Sequence, residues 1–228
     1  MSLTSGNAPF GPHRAGVADP PLPDGPVAYV EPHPRRVQAV RGGATVLDTE
    51  RALMVHRAGH ALAYAFPADA VGDLPNEPEP AAPGFVRVPW DAVDTWLEEG
   101  RRLVHYPPNP YHRVDCRPTK RRLRVEVGGQ VLVDTDDTLI LFETSLGPRL
   151  YVAREHVRMD LLRPTATETW CNYKGVATYW ACGEAEDVAW CYEDPLPESS
   201  PIAGMLSFDG ARVQMDAELP VGSAVPAA

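Results

Sequence analysis

The sequence is nearly without lysine: of its 21 basic residues only Lys120 and Lys174 are lysines, and the rest are arginines. It also lacks positive charge overall. Thirty-one acidic residues bring the formal net charge to -10, which argues against nucleic acid or an anionic membrane as partner, because phosphate surfaces are held through basic ones. The local run Lys120-Arg121-Arg122-Leu123-Arg124 reads as the solvated start of a strand rather than a phosphate site. No apolar run approaches the ~18 residues of a membrane span, and no basic-then-apolar leader opens the chain, so a cytoplasmic location is expected. The four cysteines, Cys116, Cys171, Cys182 and Cys191, contain no C-x-x-C pair. That spacing disfavours structural zinc and points to free thiols packed as small apolar groups. There is no G-x-x-x-x-G-K-[ST] loop, no H-E-x-x-H and no G-x-S-x-G elbow. His56 and His60 fall in a strand and a loop, off metal spacing. Neither a metal nor a cofactor is expected.

Proline, by contrast, is abundant, with 25 residues clustered at Pro9–Pro34, Pro75–Pro89, Pro107–Pro118 and Pro195–Pro201. Such density breaks helices and marks loops and edge strands, so a mainly β fold is expected. An internal repeat organises it. Arg36-Val37-Gln38-Ala39-Val40-Arg41-Gly42-Gly43 followed by Asp48-Thr49 matches Arg122-Leu123-Arg124-Val125-Glu126-Val127-Gly128-Gly129 followed by Asp134-Thr135. Each reads as a β-hairpin turning on Gly-Gly, with a further strand after it, Ala52 to His56 and Thr138 to Glu143. Later, Gly84-Phe85-Val86 resembles Gly204-Met205-Leu206 at a longer offset, so the second copy carries an extra block, roughly Arg158 to Cys191. The expected organisation is a mobile tail over 1–26, a trimmed module over 27–115, a complete module over 116–216 and a second tail over 217–228. Each module would be a small barrel or sandwich. One short helix is predicted near 90–99, from Pro89 in a first turn, the stripe Val93, Trp96 and Leu97, and Gly100 as a stop. A second helical turn is expected over Ala153 to Arg158.

The extra block holds the densest chemistry, Trp170-Cys171-Asn172-Tyr173-Lys174-Gly175-Val176-Ala177-Thr178-Tyr179-Trp180. Asn172 to Gly175 reads as a turn, and the strand after it puts Ala177 and Tyr179 on one face and Val176, Thr178 and Trp180 on the other. A lysine in a chain that otherwise writes its cations as arginine marks a compact, tunable amine. Lys174 can bind a phosphate or carboxylate, or simply sit solvated at the hairpin tip. Glu143 ends an apolar strand on the face of Leu139 and Leu141, with Arg149 and Tyr151 following across a Gly-Pro turn. Glu143 and Arg149 read either as an ion pair closing that loop or as an acid beside an anion clamp. Trp190 and Tyr192 alternate onto one face, to wall a pocket or to fill a core. Asp160 is a further acid, next to Arg158.

These residues together resemble the domain-of-unknown-function family 427. The resemblance rests on Val125-Glu126-Val127-Gly128-Gly129, Leu141-Phe142-Glu143-Thr144, Tyr151, Val157 to Leu162, Cys171 with Tyr173-Lys174-Gly175, Tyr179-Trp180, Trp190 with Tyr192, and Asp194 to Glu198. The first module, with Pro89 to Trp96 and Asn109 to Asp115, is similar to the N-terminal half of two-copy members. The resemblance implies a small all-β module similar to the tent-like folds related to methionine sulfoxide reductase B, without their zinc cysteines. It also carries a nucleotidyltransferase label. Asn172 stands where the family usually has Pro, and the family's aromatic segment after Phe208 is reduced to Asp209-Gly210-Ala211-Arg212.

The function expected is one small-molecule pocket, in the C-terminal module, for an anionic or nucleotide-like ligand, with group transfer if the protein is an enzyme. Glu143 and Lys174 would carry the chemistry. Arg149, Tyr151, Tyr173, Tyr179, Trp180, Asp160 and Cys171 would surround the ligand. The alternative is a non-catalytic ligand-sensing or protein-interaction module. The sequence carries no signal of oligomeric state.

Overall fold

A computed structural model describes residues 27–58, 60–144 and 146–221, preceded by residues 3–4, 8–11, 13, 16–18, 21–22 and 25. The described chain divides into two compact units, one within Met1–Pro110 and one within Tyr111–Ser223. The division falls at Pro110 rather than after Asp115, because the strand Val114–Thr119 pairs along its whole length with Thr138–Glu143 of the second unit.

The first unit contains β1 (Ala28–Pro32), β2 (Val37–Arg41), β3 (Ala44–Thr49), β4 (Leu53–Arg57), β5 (Ala63–Pro67), β6 (Glu77–Pro78), β7 (Phe85–Arg87), β8 (Thr95–Glu98) and β9 (Arg101–Arg102). They form two open antiparallel sheets, β1-β4-β5-β7-β6 and β3-β2-β8-β9. Val37, Ala39, Leu47 and Trp96 of one sheet share a core with Tyr64, Phe66 and Val86 of the other. Each large apolar side chain buried there contributes about 1.5–3 kcal/mol.

The second unit contains β10 (Val114–Thr119), β11 (Leu123–Val127), β12 (Gln130–Thr135), β13 (Thr138–Glu143), β14 (Arg149–Tyr151), β15 (Leu162–Cys171), β16 (Gly175–Cys182), β17 (Ala185–Cys191), β18 (Leu206–Phe208) and β19 (Gln214–Ala217). Its sheets are β10-β13-β14, β12-β11-β19 and β15-β16-β17-β18. Alternation along β13 splits the core. Ile140 joins a cluster with Leu123, Val125, Val152 and Phe208, whereas Leu139 and Leu141 join Tyr151, Tyr173, Tyr192 and Ile202 on the other face.

Strand by strand, the two units pair alike. Val55 lies opposite Val30 and Ala63, and Leu141 lies opposite Cys116 and Arg149. Both Gly-Gly turns take positive φ at both glycines (59° and 78°; 57° and 80°), the geometry of a two-residue hairpin turn. Both hairpins shift register at the same step, between Ala39 and Val40 of β2 and between Val125 and Glu126 of the equivalent strand. The repeated Asp-Thr has a physical reason as well. Asp48 takes a two-pronged bond from Arg36 (2.7 and 2.5 Å) and Asp134 takes one from Arg122 (2.8 and 2.9 Å). The Thr49 and Thr135 hydroxyls each accept the backbone N–H two residues on. The units part after β5 and β14: Phe66 pairs with Val86, whereas Val152 bridges to Leu206 across a long insertion. That insertion, expected at Arg158–Cys191, is the three-stranded run β15-β16-β17.

The helix predicted near 90–99 is confined to one 3-10 turn, Trp90–Ala92, and the rest is strand β8. Trp96 and Glu98 are buried and alternate with half-buried Thr95 and Leu97, a period of two, and pairing with β2 gives the backbone its partners. Another 3-10 turn, Arg154–His156, occupies the expected turn after Ala153. No sheet among the described residues closes into a barrel. No helix among them is long and apolar enough to cross a membrane. Within the expected N-terminal tail, Thr4 and Ala8 are buried and Leu3 N–H donates to His56 Nδ1 (3.0 Å). Residues 1–2, 5–7, 12, 14–15, 19–20, 23–24 and 26 of that tail, and residues 222–228 of the other, lie outside the described residues.

Candidate functional site

A cleft of about 510 Å³ opens in the second unit over the face of β13 that carries Leu141 and Glu143. That volume falls within the range of small-molecule pockets. β14 brings Arg149 and Tyr151 to its wall, and the insertion brings Thr167, Thr169, Lys174, Tyr179, Asp187, Trp190 and Tyr192. Lys174 arrives there because the turn after β15 is tight. Gly175 sits at φ 98°, a backbone conformation that side-chain-bearing residues rarely adopt, so the position favours glycine.

At the cleft floor Glu143, Lys174 and His112 form one buried cluster. The Lys174 amine donates to Glu143 Oε2, and His112 Nε2 lies 3.0 Å from Oε1. Burial pushes the Glu143 carboxyl up, but the His112 hydrogen bond together with the charge and bond of Lys174 outweigh it, and the net displacement is downward. Glu143 is therefore an ionised acceptor with its counter-ion in contact. His112 stacks on Tyr173, ring centroids 3.6 Å apart and planes 20° apart, which fixes the imidazole.

Arg149 meets no carboxylate at ion-pair distance among the described residues; its guanidinium lies over the Trp190 ring, 5.0 Å from the centroid. The alternative of a Glu143–Arg149 pair is thus replaced by Glu143–Lys174, with Arg149 left at the mouth. Trp190 Nε1–H donates to the Tyr151 hydroxyl (3.2 Å), and burial raises the Tyr151 phenol far above its ordinary range, so it stays protonated. On the opposite rim Asp187 adopts a left-handed backbone (φ 53°) and accepts from the Thr165 and Thr167 hydroxyls (2.7 and 2.9 Å). Tyr179 and Thr169 join hydroxyls at 2.9 Å, and Arg212 pairs with Asp209 at 3.1 Å.

Of the residues singled out from sequence, Glu143, Lys174, Arg149, Tyr151 and Tyr179 line the cleft. Tyr173 lies beneath it, stacked on His112. Trp180 points to the other face of β16, packing on the Leu123–Phe208 core with the Arg154 guanidinium 5.4 Å from its ring. Asp160 is exposed and tied to Arg158 (2.9 and 2.7 Å). Cys171 is half-buried against the Tyr151 cluster. Sequence reasoning missed His112 and Asp187. The signal for His112 is period two: Val114 pairs with Glu143, so the residue two before it continues on the same face. Asp187 carries no local signal, since its place follows from an irregular backbone.

Residues 115–219 match the family described as Domain of unknown function (DUF427). No curated protein matches the chain.

Proposed function

We propose that this DUF427 domain binds a small anionic, nucleotide-like ligand in the cleft over Glu143, and that the first unit is a trimmed second copy of the same module. The observation that carries the ligand reading is Arg149, a cation without a carboxylate partner among the described residues, held on the Trp190 ring at the mouth of an aromatic-walled cleft. An arginine fork is suited to a phosphate or carboxylate, and the Tyr179 and Trp190 rings offer faces for a base or another flat group. For transfer of a phosphoryl-bearing group, Glu143 takes the proton of the acceptor hydroxyl and Lys174 stabilises the charge gathering on the leaving oxygen.

A second reading is favoured by one observation: both oxygens of the buried Glu143 carboxylate already have a partner, Lys174 on Oε2 and His112 on Oε1. On that reading the cluster is scaffolding beneath a binding cleft and nothing reacts, as in a sensing module. A thermal-shift screen of nucleoside phosphates and small carboxylates on wild type and Arg149→Gln tests the binding. Arg149→Gln suits this because it disturbs no described ion pair. A ligand should stabilise wild type and lose most of that effect in the variant; equal stabilisation of both removes Arg149 from the site. Phosphorus NMR of the same mixtures then separates the readings. Conversion abolished by Glu143→Gln supports transfer, and binding without conversion supports the sensor.

A further inference from the structure

The first unit has a cleft of its own, about 350 Å³, and it occupies the same place in the module. Val55 lines it where Leu141 lines the other, Arg57 stands at the position of Glu143, His60 at that of Leu146 and Ala63 at that of Arg149. The strand registers that equate these positions are those of β4 with β1 and β5, and of β13 with β10 and β14. The fold therefore keeps the hollow while the sequence reverses the charge at its floor.

The cations in this cleft are only partly spent. Arg57 gives Nη2–H to the fully buried Glu79 (2.5 Å), and Arg87 Nε lies 3.2 Å from the other oxygen of that carboxylate. Arg87 Nε and Glu79 Oε2, both buried, are not aligned as a hydrogen bond. One carboxylate thus serves two guanidiniums. Arg87 also lies 3.5 Å from Glu77, whose largely exposed side chain is screened by solvent. Each guanidinium has five N–H donors in a planar fork, so donors remain for an anion. Beside them Trp90 and Trp96 stack at 5.4 Å and 23°, and Phe66 backs Trp96 at 5.7 Å and 5°. Trp96 Nε1–H donates to the Trp90 carbonyl (2.8 Å), which makes the wall rigid. His105 faces the same space from a left-handed backbone (φ 64°) that few residues adopt without tertiary support.

We propose that the first unit carries a second, separate ligand site, for a flat aromatic ring bearing an anionic group. Arg57 and Arg87 take the carboxylate or phosphate, and the ring lies against Trp90 and Trp96. This assignment does not depend on the reading given for the DUF427 domain.

The test is calorimetric titration with phenyl phosphate, benzoate and inorganic phosphate, in the Arg149→Gln protein so that the other cleft does not mask the result. Phenyl phosphate or benzoate should bind at one site per chain, and whichever binds better names the anion. Inorganic phosphate should bind more weakly for want of the ring. Adding Arg87→Gln should weaken binding by about ten-fold or more, the loss of one charge-assisted contact. Should that variant fail to fold, Trp90→Leu takes its place with the same expectation. Absence of saturable binding by both aromatic ligands, or affinity unchanged by Arg87→Gln or by Trp90→Leu, would overturn the proposal.

Discussion

The floor of the first unit's cleft is a cation that holds a buried acid, Arg57 on Glu79, whereas the floor of the second is an acid that holds a buried cation, Glu143 on Lys174. The two pairs rest on equivalent strand positions, and their partners arrive by different routes. Glu79 follows a connector of some ten residues, and Lys174 comes on the hairpin of a three-stranded insertion. The difference teaches that this module requires charge compensation at the end of its fourth strand but accepts either sign there.

The largest effect should come from breaking either pair. Lys174→Met leaves Glu143 buried without its counter-ion, and Arg57→Met strips Glu79 of its closest one; each should cost about 3–5 kcal/mol in urea denaturation. The double variant Lys174→Met/Glu143→Leu should recover most of the loss, since an apolar pair needs no compensation. If the singles cost no more than ordinary surface substitutions, the two pairs are not the matched supports described here.

A smaller effect should appear on acidification. In the first unit Glu98 is buried against His33 (2.9 Å), Arg35 (2.7 Å) and the Tyr64 hydroxyl. Burial raises its carboxyl, and these three partners bring it below the ordinary range, as happens at Glu143. A depressed carboxyl contributes stability that is complete above the unfolded pKa of about 4.3 and is lost as pH falls through the folded value. Stability should therefore decline below about pH 4.3, and Glu143→Gln and Glu98→Gln should each flatten that decline. An acid limb unchanged in both variants would deny these carboxylates their part in it.

The smallest effect should come from the feature the units share most closely. The Arg36–Asp48 and Arg122–Asp134 pairs are well formed but exposed, and exposed pairs contribute little. Asp48→Asn and Asp134→Asn should leave the melting temperature within the scatter of replicate melts. A large drop in one alone would mark a difference between the hairpins that their geometry does not show.

Much of this was legible in the sequence because it is local. The Gly-Gly turns, the Asp-Thr pair and the alternation placing Leu139, Leu141 and Glu143 on one face follow from short-range rules, and so did the insertion carrying Lys174. What failed to show depends on distant partners. The stripe Val93, Trp96 and Leu97 fits a helix by spacing, but pairing with β2 drew it into a strand. Trp180 belongs to the same strand as Tyr179, and only the position of the second core decides which of them meets the cleft. The cleft of the first unit was invisible because its chemistry is spread from Arg57 to His105 and gathers only when the sheets pack.

The chain's five tryptophans give the most direct test, since each indole N–H reports separately in a nitrogen–proton correlation spectrum. Titrated with adenosine monophosphate, the Trp190 indole should move and saturate while that of Trp180, on the far face of β16, stays in place, and Arg149→Gln should abolish the movement. Movement of Trp180 with Trp190 unmoved, or the same Trp190 response in Arg149→Gln, would contradict an anion held by Arg149 over the Glu143–Lys174 floor.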